Sequence, residues 1–178
     1  MMIAEEESKA LRACRLEQKL GSNTSSSSNK FCSIVALCKK EELDDFDDEN
    51  LIISDDGETQ LAVVGTLDVH ASRALAGEVL IASCSNAAYL ANVCTAPLAR
   101  RRGVGEAMVR QAIEIARSWS IEDIFVHTMA VNEAAIEFYY KNGFCIEKEE
   151  TSNQAHYRGR CLDGIEGRGR TVLLRLNT

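Results

Sequence analysis

The chain has 178 residues, the length of one domain, and 46% of them are hydrophobic, enough to bury a real core. A formal charge of −7 argues against nucleic acid and anionic membrane as partners, because both select a basic face, and no apolar run approaches the length of a membrane span. The seven cysteines (Cys14, Cys32, Cys38, Cys84, Cys94, Cys145, Cys161) are scattered with no C-x-x-C pair, so they predict reduced, mostly buried thiols rather than a disulfide frame or a zinc site.

In chain order, Ala4 to Leu20 is charged and helix-prone, with Ala10, Leu11, Cys14, Leu16 and Leu20 as a weak apolar stripe. Glu5, Glu6 and Glu7 are wrong for an acid-poor transit sequence, and no apolar core marks a secretory signal. The serine-rich run from Gly21 to Lys30 reads as a flexible connector, which separates an N-terminal segment, 1–30, from a single domain, 31–178. Phe31 to Cys38 predicts a strand. Glu41 to Glu58 is too densely acidic to pack and predicts a solvated loop. Leu61 to His70 and Tyr89 to Thr95 predict two further strands, and no internal repeat is visible.

The third of these strands leads into the most informative stretch, Tyr89 to Glu106, written YLANVCTAPLARRRGVGE. An apolar run passes one proline and three arginines, then Gly103-Val104-Gly105 opens a helix. The first N–H groups of a helix have no internal partner and its dipole favours negative charge, so such a turn suits phosphate. A P-loop needs Gly-Lys-Ser/Thr after the glycines, where Glu106 and Ala107 stand; a dinucleotide fingerprint needs a third glycine, where Met108 stands. What remains is Arg100-x-x-Gly103-x-Gly105, either an anion cradle of another kind or an ordinary turn with solvated arginines.

The helix continues through EAMVRQAIEIARSWS with Val104, Met108, Ala112, Ile115 and Trp119 on one face. A β-type run follows, Asp123 to Met129, and then Asn132-x-x-Ala135-x-x-x-Tyr139-x-x-x-Gly143-Phe144. Asn132 is a good N-cap and Gly143 a good helix-ending residue. The last strands are expected near Phe144 to Lys148 and at Thr171 to Leu176, with a long connection between them.

These two motifs, in this order, closely resemble the GNAT acetyltransferases over roughly Phe31 to Leu176. The resemblance implies an α/β (α+β) fold, the acyl-CoA N-acyltransferase fold, with a mixed central sheet splayed at the cofactor site and helices on both faces. Domains of this family begin with an edge strand and two helices ahead of the strand at Phe31. Only one helix is predicted there, so the first strand and a helix look missing, which implies either a shortened gene product or elements supplied elsewhere. Ser33-Ile-Val-Ala-Leu, Val64-Gly-Thr-Leu-Asp-Val and Tyr89-Leu-Ala-Asn-Val-Cys-Thr-Ala are similar to the plastid acetyltransferases of plants that modify lysines and protein N-termini. That implies a plastid, with the cytosol as the alternative.

What the resemblance implies for chemistry is attack of a free amine on the thioester of acetyl-CoA, in a ternary complex. At pH ~8 an α-amine of pKa ~7.7 is largely free, whereas a lysine of pKa ~10.4 is free about once in ~250, a difference of about 3 kcal/mol. Protein or peptide N-termini are therefore the first acceptor expected and lysines the second. The backbone around Gly103, Val104, Gly105 and Glu106 would hold the diphosphate, and Arg100, Arg101 and Arg102 either reach the phosphates or stay in water. Val93, Cys94 and Thr95 would pair with the pantetheine arm, one N–H meeting the oxyanion. An acyl-cysteine on Cys94 is disfavoured, since strand cysteines are usually buried and inert.

His127 is the candidate base, or else a core histidine. Relatives that acetylate N-termini and carry a His there also carry a tyrosine where Tyr89 stands, with water between the two; Tyr89 is that partner or a packing residue. Tyr139 is the candidate general acid for the sulfur, or an aromatic packed on the sheet; Tyr140 is turned by about 100° away from it. Asn132 is expected to cap the helix and touch the cofactor. Tyr157, in the long connection, would wall the acceptor groove, or else the connection is an ordinary flexible surface loop. Two rivals stay open: a small-amine acetyltransferase, favoured by the acidity, and a binding module that holds acetyl-CoA without turnover.

Overall fold

Among the described residues, alternating apolar positions build strands, with the helices Val104–Ser118 and Glu133–Lys141 set between them. The computed structural model describes residues 14–15, 30–43, 51–53, 60–72, 86–151 and 170–178. In chain order the elements are β1 (Cys14–Arg15), β2 (Phe31–Lys39), β3 (Leu51–Ile53), β4 (Gln60–Ser72), β5 (Ala87–Thr95), α1 (Val104–Ser118), β6 (Asp123–Met129), α2 (Glu133–Lys141), β7 (Cys145–Glu150) and β8 (Thr171–Asn177). β5 and β6 run parallel, while β1 on β2, β3 on β4, β8 on β6 and β8 on β7 are antiparallel, so the strand pairing is mixed.

Packing divides the chain into two compact units. Among the described residues the first takes in 14–15, 31–43, 51–53, 60–69 and 91–114, and the second takes in 30, 70–72, 86–90, 115–151 and 170–178. β4, β5 and α1 contribute to both.

In the first unit the strands lie in the order β1, β2, β4, β5, with β3 pairing β4. Cys32, Ile34 and Ala36 alternate into the core from β2. Val104, Met108, Val109 and Ala112 bury one stripe of α1. Along β4 the buried positions are Ala62 and Val64, then Leu67 and Val69. The alternation changes phase across Gly65 and Thr66, which moves the inward face by one residue.

Two sequence expectations fail in this unit. Cys14 and Arg15, inside the predicted N-terminal helix, are extended and pair with Ala36 and Val35; the rest of that helix and the serine-rich connector lie outside the described residues. An edge strand therefore does precede Phe31. Leu51–Ile53, inside the predicted acidic loop, pairs with Ala62, Leu61 and Gln60. Local composition misled in both places, because hydrogen bonding to a ready strand edge outweighs weak propensity.

In the second unit the order is β5, β6, β8, β7. Tyr89 pairs with Phe125, Phe125 with Arg175, and His127 with Leu173. Ala87, Phe125 and Leu173 form a buried cluster against which Tyr89 packs. Asp123, 7% exposed, accepts from Arg175 Nε at 2.8 Å and Asn177 Nδ2 at 3.1 Å. A carboxylate this buried needs such partners, and they tie β8 to β6. Strand β6 has the bounds its sequence predicts, Asp123 to Met129. As predicted, Asn132 caps α2, its Oδ1 accepting from Ala135 N at 3.1 Å, and Gly143 ends it at φ 85°.

Candidate active site

The anion turn is built in the first unit from backbone. After β5, Pro97–Ala99 makes a single 3-10 turn, and Ala96 N–H closes on the Val64 carbonyl at 2.9 Å. Arg101 and Gly103 then take left-handed backbone, φ 63° and 78°. Glycine adopts that region freely, whereas an arginine there costs roughly 1–2 kcal/mol. Ala107 N–H is the first to join the α1 ladder, bonding Gly103 O at 3.0 Å, so the N–H groups of Val104, Gly105 and Glu106 precede it. A Cβ added to Gly103 would meet nothing within 4 Å, so open space lies against this glycine. That is the shape an anion needs in order to approach main-chain donors.

Side chains around the turn play smaller parts. Arg100, Arg101 and Arg102 are exposed, and Arg100 Nε donates to the Thr95 carbonyl at 3.3 Å, bracing the turn. The Glu106 side chain accepts from Arg110 at 3.3 Å, one turn along the exposed helix face, which leaves its backbone as the part suited to a ligand. Val93 and Thr95 are half-buried at the end of β5, and Cys94 is exposed. Cys145 is exposed as well, so of the four cysteines whose side chains are described only Cys32 is fully buried, and Cys94 and Cys145 depart from the expectation of buried thiols. Cys94 faces outward by alternation between the half-buried Val93 and Thr95, whereas Cys145 opens β7 beside Ile146, which is exposed too. Burial, and then the charge of Asp68, push the Cys32 thiol above its ordinary range.

A polar cluster stands in the second unit. Tyr89 pairs with Phe125, so His127, two residues on, shares its face of the sheet. Tyr89 Oη lies 3.1 Å from His127 Nδ1, a direct hydrogen bond, and the rings sit 5.7 Å apart. The water expected between them is not needed: a two-residue offset on neighbouring strands already brings the groups within reach. The other ring nitrogen, Nε2, is buried.

Tyr139 is 5% exposed and packs edge-on against Phe144 at 5.4 Å and Phe138 at 5.2 Å, while Tyr140 is exposed as the helix register predicts. Its phenol is pushed up to about 12 by burial and, to a smaller extent, by Tyr89 nearby. The structure thus puts Tyr89 and His127 in contact, with Tyr139 near enough to Tyr89 to feel its charge. Tyr157 and the long connection from residue 152 to 169 lie outside the described residues.

Two residues of consequence escaped the sequence reading. A Cβ on Gly65 would come within 2.8 Å of Met108 Cε and 3.2 Å of the Cys94 carbonyl, so this glycine lets α1 lie close on the sheet beside the end of β5. Asn92, inside β5, has φ 51°. A glycine interrupting a strand pattern was the available signal for the first. For the second the signal was only the tolerance of Asn for left-handed backbone.

The chain is similar to known proteins. Over 111 residues the chain is 38% identical to the GCN5-related N-acetyltransferase 7, chloroplastic, of Arabidopsis thaliana, covering 59% of this chain and 40% of that protein. The GCN5-related N-acetyltransferase 6, chloroplastic, of the same plant is 37% identical over 99 residues, 48% of this chain and 34% of that one. The chain thus spans well under half the length of either relative. Among solved structures, a Bacillus subtilis acetyltransferase in complex with CoA matches with a TM-score of 0.53 at 16% identity, over 83% of this chain and 77% of that one, a likeness of fold. The model of the acetyltransferase (GNAT) family matches residues 15–144, a span that holds the glycine turn and Tyr89, His127, Asn132 and Tyr139, and this chain belongs to that family.

Proposed function

We propose that this protein transfers an acetyl group from acetyl-CoA to the amine of a protein or peptide, N-terminal α-amines first and lysines second, by direct attack. The observation that carries the reading is the 3.1 Å contact between Tyr89 Oη and His127 Nδ1, a proton path ready before any ligand arrives.

The glycine turn fits the acyl donor. The N–H groups of Val104, Gly105 and Glu106 would take the diphosphate, against the open space at Gly103. Val93, Cys94 and Thr95 would face the pantetheine arm. Acetyl-CoA supplies the activated acetyl group, and the remaining work falls to side chains.

His127 Nδ1 is engaged by Tyr89 and Nε2 is buried, so a proton leaving the amine enters at Tyr89 Oη, directly or across one water, as the phenol proton passes to Nδ1. An α-amine, already largely neutral near pH 8, asks little of the base. A lysine asks for about 3 kcal/mol more. This difference supports N-termini as the first acceptor.

Tyr139 serves the leaving sulfur as a hydrogen-bond donor. With its phenol pushed up to about 12, full proton transfer to a thiolate of pKa ~8.5 would be uphill by about 5 kcal/mol. Donation without transfer steadies the departing charge, and solvent completes the thiol. The general acid expected from the sequence is in this reading a stabiliser. Plastid is the proposed compartment, supported by the chloroplastic names of both Arabidopsis relatives.

The test is to give the protein acetyl-CoA, a pool of peptides with free N-termini and lysines, and a polyamine mixture, and to map acetyl groups by mass spectrometry. Acetylated N-termini ahead of lysines are expected. Modification confined to polyamines, or cofactor uptake with no acetylated amine, would overturn the reading.

A further inference from the structure

Within β5, Asn92 leaves the extended region that its neighbours keep, with φ 51°. L residues avoid this backbone region, and Asn is among the few that tolerate it. A left-handed residue inside a strand is the mark of a bulge, which bends the strand and re-aims the peptide groups that follow. Those groups belong to Val93, Cys94 and Thr95. The burial pattern changes there: Ala87, Ala88 and Leu90 are buried before Asn92, while Val93 and Thr95 are more covered than Cys94 after it. Strand β4 changes phase at Gly65 and Thr66, within the same unit.

Two side chains bond this one residue, and a third holds one of them. Asn92 Nδ2 donates to Asp68 Oδ2 at 2.6 Å. The other carboxylate oxygen, Oδ1, accepts from Ser33 Oγ at 2.6 Å. Thr66 Oγ1 donates to the Asn92 carbonyl at 3.2 Å. The side chain and carbonyl of residue 92 are therefore both held, and the bond to a carboxylate is of the stronger, charge-assisted kind. Ser33 orients the carboxylate from β2. Polar residues that merely decorated a sheet face would have no reason to meet at the strand's left-handed residue.

We propose that Asp68 is a positioning residue for the acyl donor: by gripping the Asn92 side chain it keeps residue 92 left-handed, and so turns the N–H groups of Val93–Thr95 toward the thioester. This inference rests on the acetyl-CoA reading, but its central claim concerns the cofactor-free protein. Asp68 touches neither substrate, and its effect reaches the reaction only through the backbone of residue 92.

The test uses the full chain with Asp68→Ala, Asn92→Gly and the two combined. Glycine holds a positive φ without help, so it removes the need for the grip. Asp68→Ala is expected to lower kcat about tenfold or more, since small misplacements of donors are costly, and the double variant to recover to within about threefold of wild type. A purely structural role for Asp68 predicts the reverse, a double variant at least as impaired as the single one. Should Asp68→Ala fail to fold, Asn92→Val against Asn92→Gly decides: the β-branched residue is expected to lose about tenfold more than glycine, and equal turnover would overturn the proposal.

Amide exchange at Val93–Thr95, read by NMR without ligand, must change in Asp68→Ala and return toward wild type in the double variant. Unchanged exchange refutes the grip. Separately, a wild-type protein that takes up no CoA compound refutes the acetyl-CoA reading, while the exchange data still judge Asp68.

Discussion

The glycine turn and the Tyr89–His127–Tyr139 cluster achieve opposite things by opposite means. The turn is made of backbone: two residues at positive φ and the unspent N–H groups at the start of α1. Its side chains point into water or brace the loop, as Arg100 does on the Thr95 carbonyl. The cluster is made of side chains from β5, β6 and α2, and it depends on sheet register and on burial. A backbone site tolerates change in side-chain identity wherever φ is kept. A side-chain site tolerates none at its functional atoms, yet survives a change that preserves ring packing. This contrast makes predictions.

The largest effect is expected at Tyr139. Tyr139→Phe keeps the contacts with Phe144 and Phe138 and removes only the donor, so kcat should fall about a hundredfold, with acetyl-CoA affinity by calorimetry changed less than about twofold. Unaltered turnover would reduce Tyr139 to a packing residue. At Gly103 the change should appear in affinity instead. Gly103→Val forces a β-branched residue into φ 78° and should weaken acetyl-CoA binding about tenfold to thirtyfold, while Gly103→Asn should lose only about threefold. Equal losses for Val and Asn would mean that space, not backbone conformation, governs the turn.

Tyr89→Phe should lower kcat/KM about tenfold, and by more for lysine than for N-terminal acceptors, because only the lysine depends strongly on the base. The same ratio for both acceptors would remove Tyr89 from the proton path.

The smallest expected effect is on stability at high pH. The Tyr139 phenol is raised to about 12 in the folded protein, against ~10 unfolded. Between those values the unfolded chain has released the proton and the folded one retains it, so stability falls as pH rises through this window. The fall should approach about 2–3 kcal/mol by pH ~12 and be absent below pH ~9. In Tyr139→Phe, the slope of Tm against pH above ~10 should be shallower than in wild type. Parallel slopes would show that the phenol is less buried than the structure has it.

The two regions also differ in how much of each could be read from the amino-acid string. The turn was legible because its determinants are adjacent: Gly103, Gly105 and the apolar stripe from Val104 to Ile115 announce a strand passing into a helix. The bounds of β6, the cap at Asn132 and the ending at Gly143 were legible for the same reason. The strand pairings of Cys14–Arg15 and Leu51–Ile53 were not, since what makes them strands is a partner edge more than ten residues distant or nearby only after folding. The exposure of Cys94 and Cys145 was missed likewise, because apolar character does not say which side of a strand end is covered. Asn92 looked like an ordinary strand residue until Asp68, 24 positions earlier, was seen to hold it.

On its own, the order of residues determined the family, the helix-opening glycine turn and the identities of the polar residues proposed to act. Folding alone decided that Tyr89 touches His127 without an intervening water, that Tyr139 is buried enough to keep its proton, and that Asp68 reaches Asn92. The division has one physical cause. Backbone conformation is set largely by neighbours in the chain, whereas hydrogen bonds across a sheet and the loss of solvent depend on partners that only the folded state supplies.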